Sequence, residues 1–351
     1  MPLNGLNVMT PRLLALCMAC LLFSACSATL PPERPEVFAH SVEGETRPWS
    51  HENFESSNDK FSFVVFSDLT GGEREGIYEI AVEQMNLLRP DLIVNVGDLI
   101  EGAEDRAELD RQWDSFDERT GKAKAPVFYT GGNHDLLGVE MRRAWEDRLG
   151  DRYYHFVYHN VLFLVLDTED YAPERLSEVE QMRVSAIRVA EEQGWDAFAE
   201  TPYATMPENE SGTISARQSE AMVRAIQDNP DVRWIFLLIH KAPWLAVGTS
   251  GWDAIEAALG DRPHTVFHGH RHGYQHERRG NGDYIRLATT GGVQLPDRGR
   301  SVDHMVLVTV DDDGAHIVNL LMSGILDKTG RIPLNGDDRC FEAALCNEPL
   351  Q

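Results

Sequence analysis

Five times along this chain an apolar run stops at a short polar group built from Asp, Asn or His, and that recurrence constrains the fold more than any other feature. Phe61–Phe66 ends in Ser67-Asp68, Leu92–Val96 in Gly97-Asp98, and Pro126–Thr130 in Gly131-Gly132-Asn133-His134-Asp135. Trp234–Ile239 ends in His240, and Thr265–Phe267 in His268-Gly269-His270-Arg271-His272. Short, continuous apolar runs bounded by turn residues read as buried strands. Between the first of them lie two stretches with helical spacing, Gly76–Leu88, stopped by Pro90, and Ala103–Arg119. Strands alternating with helices predict an α/β fold, with its polar residues gathered at the carboxyl ends of the strands, where such sheets place their sites.

The second half is less regular. Tyr153–Tyr158 and Val161–Leu166 read as a hairpin turning at His159-Asn160. Residues 168–212 form an insertion, helical around Pro173–Glu192, for which a solvent-facing excursion and a lid over the site are equally open readings. Helix Ser215–Gln227 follows, and runs around Tyr284–Thr289, Met305–Val310 and Ala315–Leu321 suggest a second, mostly antiparallel sheet. Residues 27–59, rich in Pro, Glu and Ser and without a sustained period, read as a tether.

The polar groups supply carboxylate, amide and imidazole, a donor set that suits borderline divalent metals such as Mn, Fe, Co or Zn. Glycines beside them let the backbone turn sharply, so that side chains at strand tips aim into one pocket. His270 and His272 reach two ions only if the backbone between them is bent rather than extended. A lone histidine after a strand is most often a structural residue; five fragments in order, each at a strand end, are hard to explain that way.

The order Asp68, Gly97-Asp98, Gly132-Asn133-His134-Asp135, His240 and Gly269-His270-Arg271-His272 resembles the calcineurin-like metallophosphoesterase superfamily over nearly all of residues 60–310. Tyr153-Tyr154-His155-Phe156 and Val165-Leu166-Asp167 are similar to its connecting strands. The resemblance implies two β-sheets packed face to face with helices outside, and hydrolysis of a phosphate ester, a phosphomonoester or phosphodiester, at two divalent metal ions. One ion would take Asp98, Asn133, His240 and His270; the other would take Asp68, the shared Asp98 and His272. A hydroxide held between ions about 3.5–4 Å apart would attack phosphorus. His134 would serve the leaving group or the transition state, with Asp135 orienting its ring. The family places a further histidine two residues after the first Asp, where this chain has Thr70. Purple acid phosphatases also lack it and use a Tyr three residues after the Gly-Asp aspartate; here that residue is Glu101, more readily read as solvated than as a ligand. Lys241-Ala242-Pro243-Trp244 looks like the family loop that buttresses the site. Arg271 reads equally as structural or as a phosphate contact, while His155, His159 and His304 read as packing or surface residues. The loss at Thr70 leaves a second reading, a single-metal or catalytically degenerate member that binds a phosphorylated ligand or a protein.

Residues 1–25 are set aside as a leader: one basic residue, Arg12, precedes the apolar run Leu13–Phe23, which is too short to span a bilayer. Leu22–Ala25 before Cys26 is similar to a bacterial lipoprotein signal, with acylation of Cys26; an ordinary secretory signal cut near Ala28 is the alternative. Ser27 is similar to signals sorted to an outer membrane. Either way the chain is exported, to the periplasm or cell envelope, and acyl chains on Cys26 would hold it at a membrane. Without Arg12, 31 basic residues face 57 acidic ones, a balance near −26 that opposes nucleic acid as a partner and leaves a small phosphorylated substrate. Cys17 and Cys20 leave with the leader, so Cys340 and Cys346 are expected to form a disulfide in an oxidising compartment, closing the tail 326–351 behind a catalytic domain at 60–325.

Overall fold

In the computed structural model of the chain, residues 37–54, 60–246 and 251–346 are described; the leader, Cys26 and the first part of the expected tether lie outside the described residues. In chain order the first half runs β1 (Phe38–His40), β2 (Phe61–Phe66), α1 (Ile77–Leu88), β3 (Leu92–Asn95), α2 (Arg106–Thr120), β4 (Val127–Phe128), α3 (Asn133–Leu136), α4 (Val139–Leu149), β5 (Tyr154–Tyr158) and β6 (Val161–Val165). The insertion carries α5 (Pro173–Gln193), α6 (Trp195–Phe198) and α7 (Pro207–Glu210). Then come α8 (Ala216–Asp228), β7 (Trp234–Leu238), α9 (Trp252–Leu259), β8 (His264–His268), β9 (Gln275–Arg279), β10 (Gly282–Arg286), β11 (His304–Asp311), β12 (Gly314–Leu321) and α10 (Ala343–Cys346).

The fold is mixed α/β, two mixed sheets packed face to face with helices on both outer faces. One sheet has the order β12-β11-β2-β3-β4 and the other β1-β5-β6-β7-β8-β10-β9. Strand β2 shows why the layers form. Phe61, Phe63 and Val65 point between the sheets, whereas Val64 and Phe66 point under α1, α2 and α4, the period-two alternation of a strand buried on both faces. The interlayer is largely aromatic: Phe63 lies edge-on to Phe163 and Phe236 with centroids 5.2 and 4.8 Å away. Helices α8 and α9 cover the outer face of the larger sheet through Met222, Ile226, Trp252 and Ile255. Capping follows the sequence: the Asp105 carboxylate accepts the N–H of Glu108 at the start of α2, and the Ser215 hydroxyl accepts that of Gln218 at the start of α8.

Two expectations are corrected. The run around Tyr284 is β10 and joins the larger sheet parallel to β8, while β11 and β12 extend the smaller sheet antiparallel to β2, so no separate antiparallel sheet exists among the described residues. Residues 37–54 are not a tether. Strand β1 pairs with β5, and the main chain at 48–50 runs beside the two-residue β4, with Pro48 O and the Ser50 N–H bonded to Tyr129 and Val127. Trp49, 4 % exposed, fills the corner between Phe128 and Tyr154. The expected disulfide between Cys340 and Cys346 is present, and the tail it pins packs on the domain, with Ile332 and Phe341 buried with α1. No described helix is long and apolar enough to cross a membrane.

Because Trp49 closes that corner, Trp49→Ala is expected to destabilise the protein by about 3–5 kcal/mol, the usual cost of emptying a buried aromatic site. A urea unfolding curve reads it as a lower midpoint at unchanged slope; an unmoved midpoint would return 37–54 to the status of a tether.

Candidate metal centre

The loops after β2, β3 and β4 in one sheet and after β7 and β8 in the other open at one edge of the sandwich, and there the polar groups meet. Asp98, His240 and His270 offer ligand atoms within 4.8 Å of one another, and so do Asp68, Asp98 and His272. The local backbone is bent to do this. Asp68, Asp98, His270 and His272 all have positive φ, at 48°, 59°, 74° and 53°. That is four of the nine such non-glycine residues among those described. A left-handed backbone costs a residue with a Cβ on the order of 1–2 kcal/mol, and its concentration here marks where the fold bends its chain to aim side chains. The bends at 270 and 272 send the two rings to different groups, as an extended strand could not. Gly97, at φ 97°, is required: a Cβ there would lie 2.8 Å from the Gly132 Cα and from His240 Nδ1.

Electron pairs converge at the centre of each group. His240 Nδ1–H donates to the carbonyl of Val96 (2.8 Å), which turns Nε2 toward Asp98 Oδ2 and Asn133 Oδ1, each 3.1 Å away. His272 Nδ1–H donates to Val293 O (2.5 Å), and its Nε2 faces Asp68 Oδ1 at 3.3 Å. His270 Nε2–H donates to Asn209 O (2.7 Å), which leaves Nδ1 as the nitrogen free to ligate. These tautomers are assigned from the hydrogen-bond network. Three histidines thus each give one ring N–H to a main-chain carbonyl, the arrangement that fixes a metal ligand's orientation and raises its basicity.

A buried point ringed by oxygen and nitrogen acceptors needs positive charge. Burial alone would raise the Asp98 carboxyl, but His240 and His134 outweigh it and hold the group well below the usual carboxylate range. Burial would lower His240; the Asp98 carboxylate overcomes it and lifts the ring to about 9. Burial likewise opposes protonation of His272, yet the hydrogen bond and charge of Asp68 raise it. His270 is held neutral, first by burial and then by the charges of Lys241 and His240. A proton on His240 occupies the role that a divalent cation would fill among Asp98, Asn133, His240 and His270. The donor set therefore fits a metal.

The residues around this core correct several expectations. The Thr70 hydroxyl donates to Ile100 O (2.9 Å) and lies 3.3 Å from Asp98 O, so it braces the loop that carries Asp98 and is not turned to ligate. Glu101 is neither a ligand nor simply solvated: its carboxylate accepts the main-chain N–H groups of Gly71, Gly72 and Glu73 at 3.1, 3.0 and 2.8 Å. Asp135 does not orient His134. Its carboxylate accepts the N–H groups of Asp98, Leu99, Ile100 and Gly132, clamping the two ligand-bearing loops together. The His134 ring is oriented instead by Nδ1–H donating to Glu101 O at 2.8 Å. Arg271 pairs with Glu210 of α7 and is structural, and His304 is a packing residue between the Ala288 N–H and Asn319.

The insertion forms one wall of the centre. Buried Lys241, directly after His240, lies 2.9 Å from the buried Glu169 carboxylate and donates to Glu208 O at 2.7 Å. This fixes α7, whose Asn209 carbonyl holds His270. Leu137, three residues after His134, belongs to the insertion's own core with Leu176, Val179 and Tyr203. From α5, Arg183 brings Nη2 to 3.4 Å from both ring nitrogens of His134. Sequence reading missed Arg183, and a signal was available. The buried stripe of α5 runs Leu176, Val179, Arg183, Ala186, Ala190, so that a cation stands where the apolar period calls for Leu or Ala.

A family model described as calcineurin-like phosphoesterase matches residues 61–274. No curated protein matches the chain. Among solved structures, the chain is similar to GAP50, the anchor in the inner membrane complex of Plasmodium, at 14 % identity over 78 % of this chain and 87 % of that one, with a TM-score of 0.49. It is similar to PhoD at 13 % identity over 76 % and 69 %, TM-score 0.48. It is also similar to the purple acid phosphatase PPD1 of yellow lupin seeds at 11 % identity over 81 % and 53 %, TM-score 0.47.

If Thr70 braces rather than ligates, Thr70→Val leaves the buried Ile100 carbonyl without its donor, while Asp98 O keeps the Leu69 N–H. The variant is expected to lose about 1–3 kcal/mol of stability while binding as many divalent ions per chain as the parent. Loss of an ion at unchanged stability would make the hydroxyl a ligand after all.

Proposed function

Because the chain belongs to the calcineurin-like phosphoesterase family, we propose that it is a metal-dependent hydrolase of phosphate esters working with two divalent cations. The observation that carries this reading is Asp98, a buried carboxylate that belongs to both ligand groups at once. Asp98, Asn133, His240 and His270 would hold one ion, and Asp68, Asp98 and His272 the other. When bound, such ions lower the pKa of water and neutralise phosphoryl oxygens. Mn, Fe, Co and Zn suit the donor set.

The chain's own residues supply the rest. Asp135 and the Gly97 and Gly132 turns hold the two carboxylate- and amide-bearing loops in register, so the ligands are positioned before a substrate arrives. His134 has its Nδ1–H committed to Glu101 O, and proton movement therefore belongs to Nε2. That nitrogen sits 3.7 Å from where a Cβ on Gly71 would stand, beside His272, and once protonated there, as the imidazolium, it would deliver that proton to the departing oxygen of the ester. Burial lowers the pKa of this ring, with the Arg183 charge acting in the same sense and the Asp98 carboxylate working against them.

Thr70 supports a second reading in which only the four-ligand group keeps its ion. Three protein ligands hold a cation less firmly than four, so filling is expected in two steps, tight and then weak. We further propose that the protein is exported and carried on an acylated Cys26; the residues preceding that cysteine support this, and mass spectrometry of the mature N-terminus decides between a modified Cys26 and a chain beginning near Thr29.

Chelation is expected to abolish phosphoesterase activity, and added Mn, Fe or Zn to restore it. Asn133→Ala and His270→Ala are each expected to lower turnover at least about a hundredfold while circular dichroism and thermal unfolding stay those of a folded protein. Full turnover in either variant would reject the site, and two bound ions without turnover on any phosphate ester would favour a ligand-binding member.

A further inference from the structure

Arg183 is the buried charge that the centre does not yet explain. It is 9 % exposed and stands in the apolar stripe of α5, between Val179 and Ala186. No carboxylate lies within 4 Å of its guanidinium among the described residues. The acids nearby are turned elsewhere. Glu180, one turn earlier, accepts the Val139 N–H at 3.2 Å, and Glu101, whose main-chain carbonyl holds His134, accepts the amides of residues 71–73. Its recorded polar neighbours are the two ring nitrogens of His134, both 3.4 Å from Nη2. Equal distance to both places Nη2 away from either lone-pair direction and beyond the range of a good N–H···N bond. A largely buried guanidinium with no carboxylate in contact and no firm acceptor, only the more distant charge of Glu180, costs stability, and apolar residues fill the same stripe on either side of it.

We propose that Arg183 is a substrate-binding residue, a guanidinium held by the insertion beside His134 to grip the non-bridging oxygens of a terminal phosphoryl group, so that the insertion selects phosphomonoesters over diesters. This rests on the phosphoesterase reading. The planar fork of arginine matches two oxygens of one phosphoryl group. The site beside it is one ring away from the ligands: His134 follows Asn133, and its main-chain N–H donates to Asp98 Oδ1 at 2.9 Å. Two divalent cations plus a guanidinium suit the second negative charge that a terminal phosphoryl group carries and a diester lacks. The insertion cannot swing freely away from this position, because Lys241 ties it to Glu169 and Glu208, and Asn209 ties it to His270.

The test compares the full exported chain, loaded with Mn, with Arg183→Met, which keeps the packing volume, and Arg183→Lys, which keeps the charge without the fork. Three quantities are read: kcat/KM on p-nitrophenyl phosphate and on bis-p-nitrophenyl phosphate, calorimetric affinity for inorganic phosphate, and bound Mn per chain. For Arg183→Met, monoester kcat/KM is expected to fall about a hundredfold, with diester kcat/KM falling less than about tenfold. Phosphate affinity falls with it, Mn content is unchanged, and the thermal midpoint is equal or higher; Arg183→Lys recovers only part of the loss. Unchanged phosphate affinity in Arg183→Met, or an equal loss on both esters, would overturn the proposal. A lowered midpoint with lost Mn would make Arg183 structural and overturn it as well. A parent protein that binds phosphate without hydrolysing either ester would reject the hydrolase reading alone, since the phosphate affinities of parent and variant still judge Arg183.

Discussion

Two buried carboxylates, Asp68 and Asp98, stand at one edge of the sandwich with almost no exposure to water, and the rest of the centre follows from what they demand. An unpaired buried anion is among the most costly features a protein can carry, so positive charge must come to it. His240 and His272 answer part of that demand by being driven toward the protonated state against their own burial. The four left-handed turns, the glycines that permit close approach, and the Asp135 clamp all serve to bring these groups together. A fold interested only in stability would separate the two acids. This one bends its chain to join them, which is the physical basis for assigning cations to the place between.

Thr70 shows how the turn after Asp68 is held to the loop that carries Asp98. The side chain that could have reached a cation instead holds the carbonyl of Ile100, and Glu101 takes the amides of residues 71–73. Together they lock the turn after Asp68 to the turn after Asp98. The two loops are thereby fixed around Asp98, the carboxylate common to both groups of acid and histidine side chains.

Much of this was legible in the sequence for an identifiable reason. Strands buried on both faces write themselves as short apolar runs, and Asp68, Asp98, Asn133, His240, His270 and His272 follow those runs directly, so they stood out as polar groups at strand ends, while their sorting into two ligand sets came from the family resemblance. What escaped depends on partners distant in the chain. Phe38–His40 is a strand only because Tyr154–Tyr158 lies beside it, and β4 is so short that Pro48–Ser50 must cover it. The sequence places Asp135 next to His134, but adjacency on a one-turn helix sends their side chains apart, one to the loop of residues 98–100 and the other to the cleft. Glu101 could not be told from a solvated acid until the turn at 71–73 was seen to present three amides to it.

The insertion was the most ambiguous segment in sequence and is the most consequential in structure. Its polar loop holds Glu208, Asn209 and Glu210, three residues with no periodic signature, and each touches the centre: Glu208 through Lys241, Asn209 through His270, Glu210 through Arg271. The Asn209 contact matters most, because the hydrogen bond from His270 Nε2 decides which ring nitrogen faces the cation. Moving the insertion therefore changes the ligand as well as the access route.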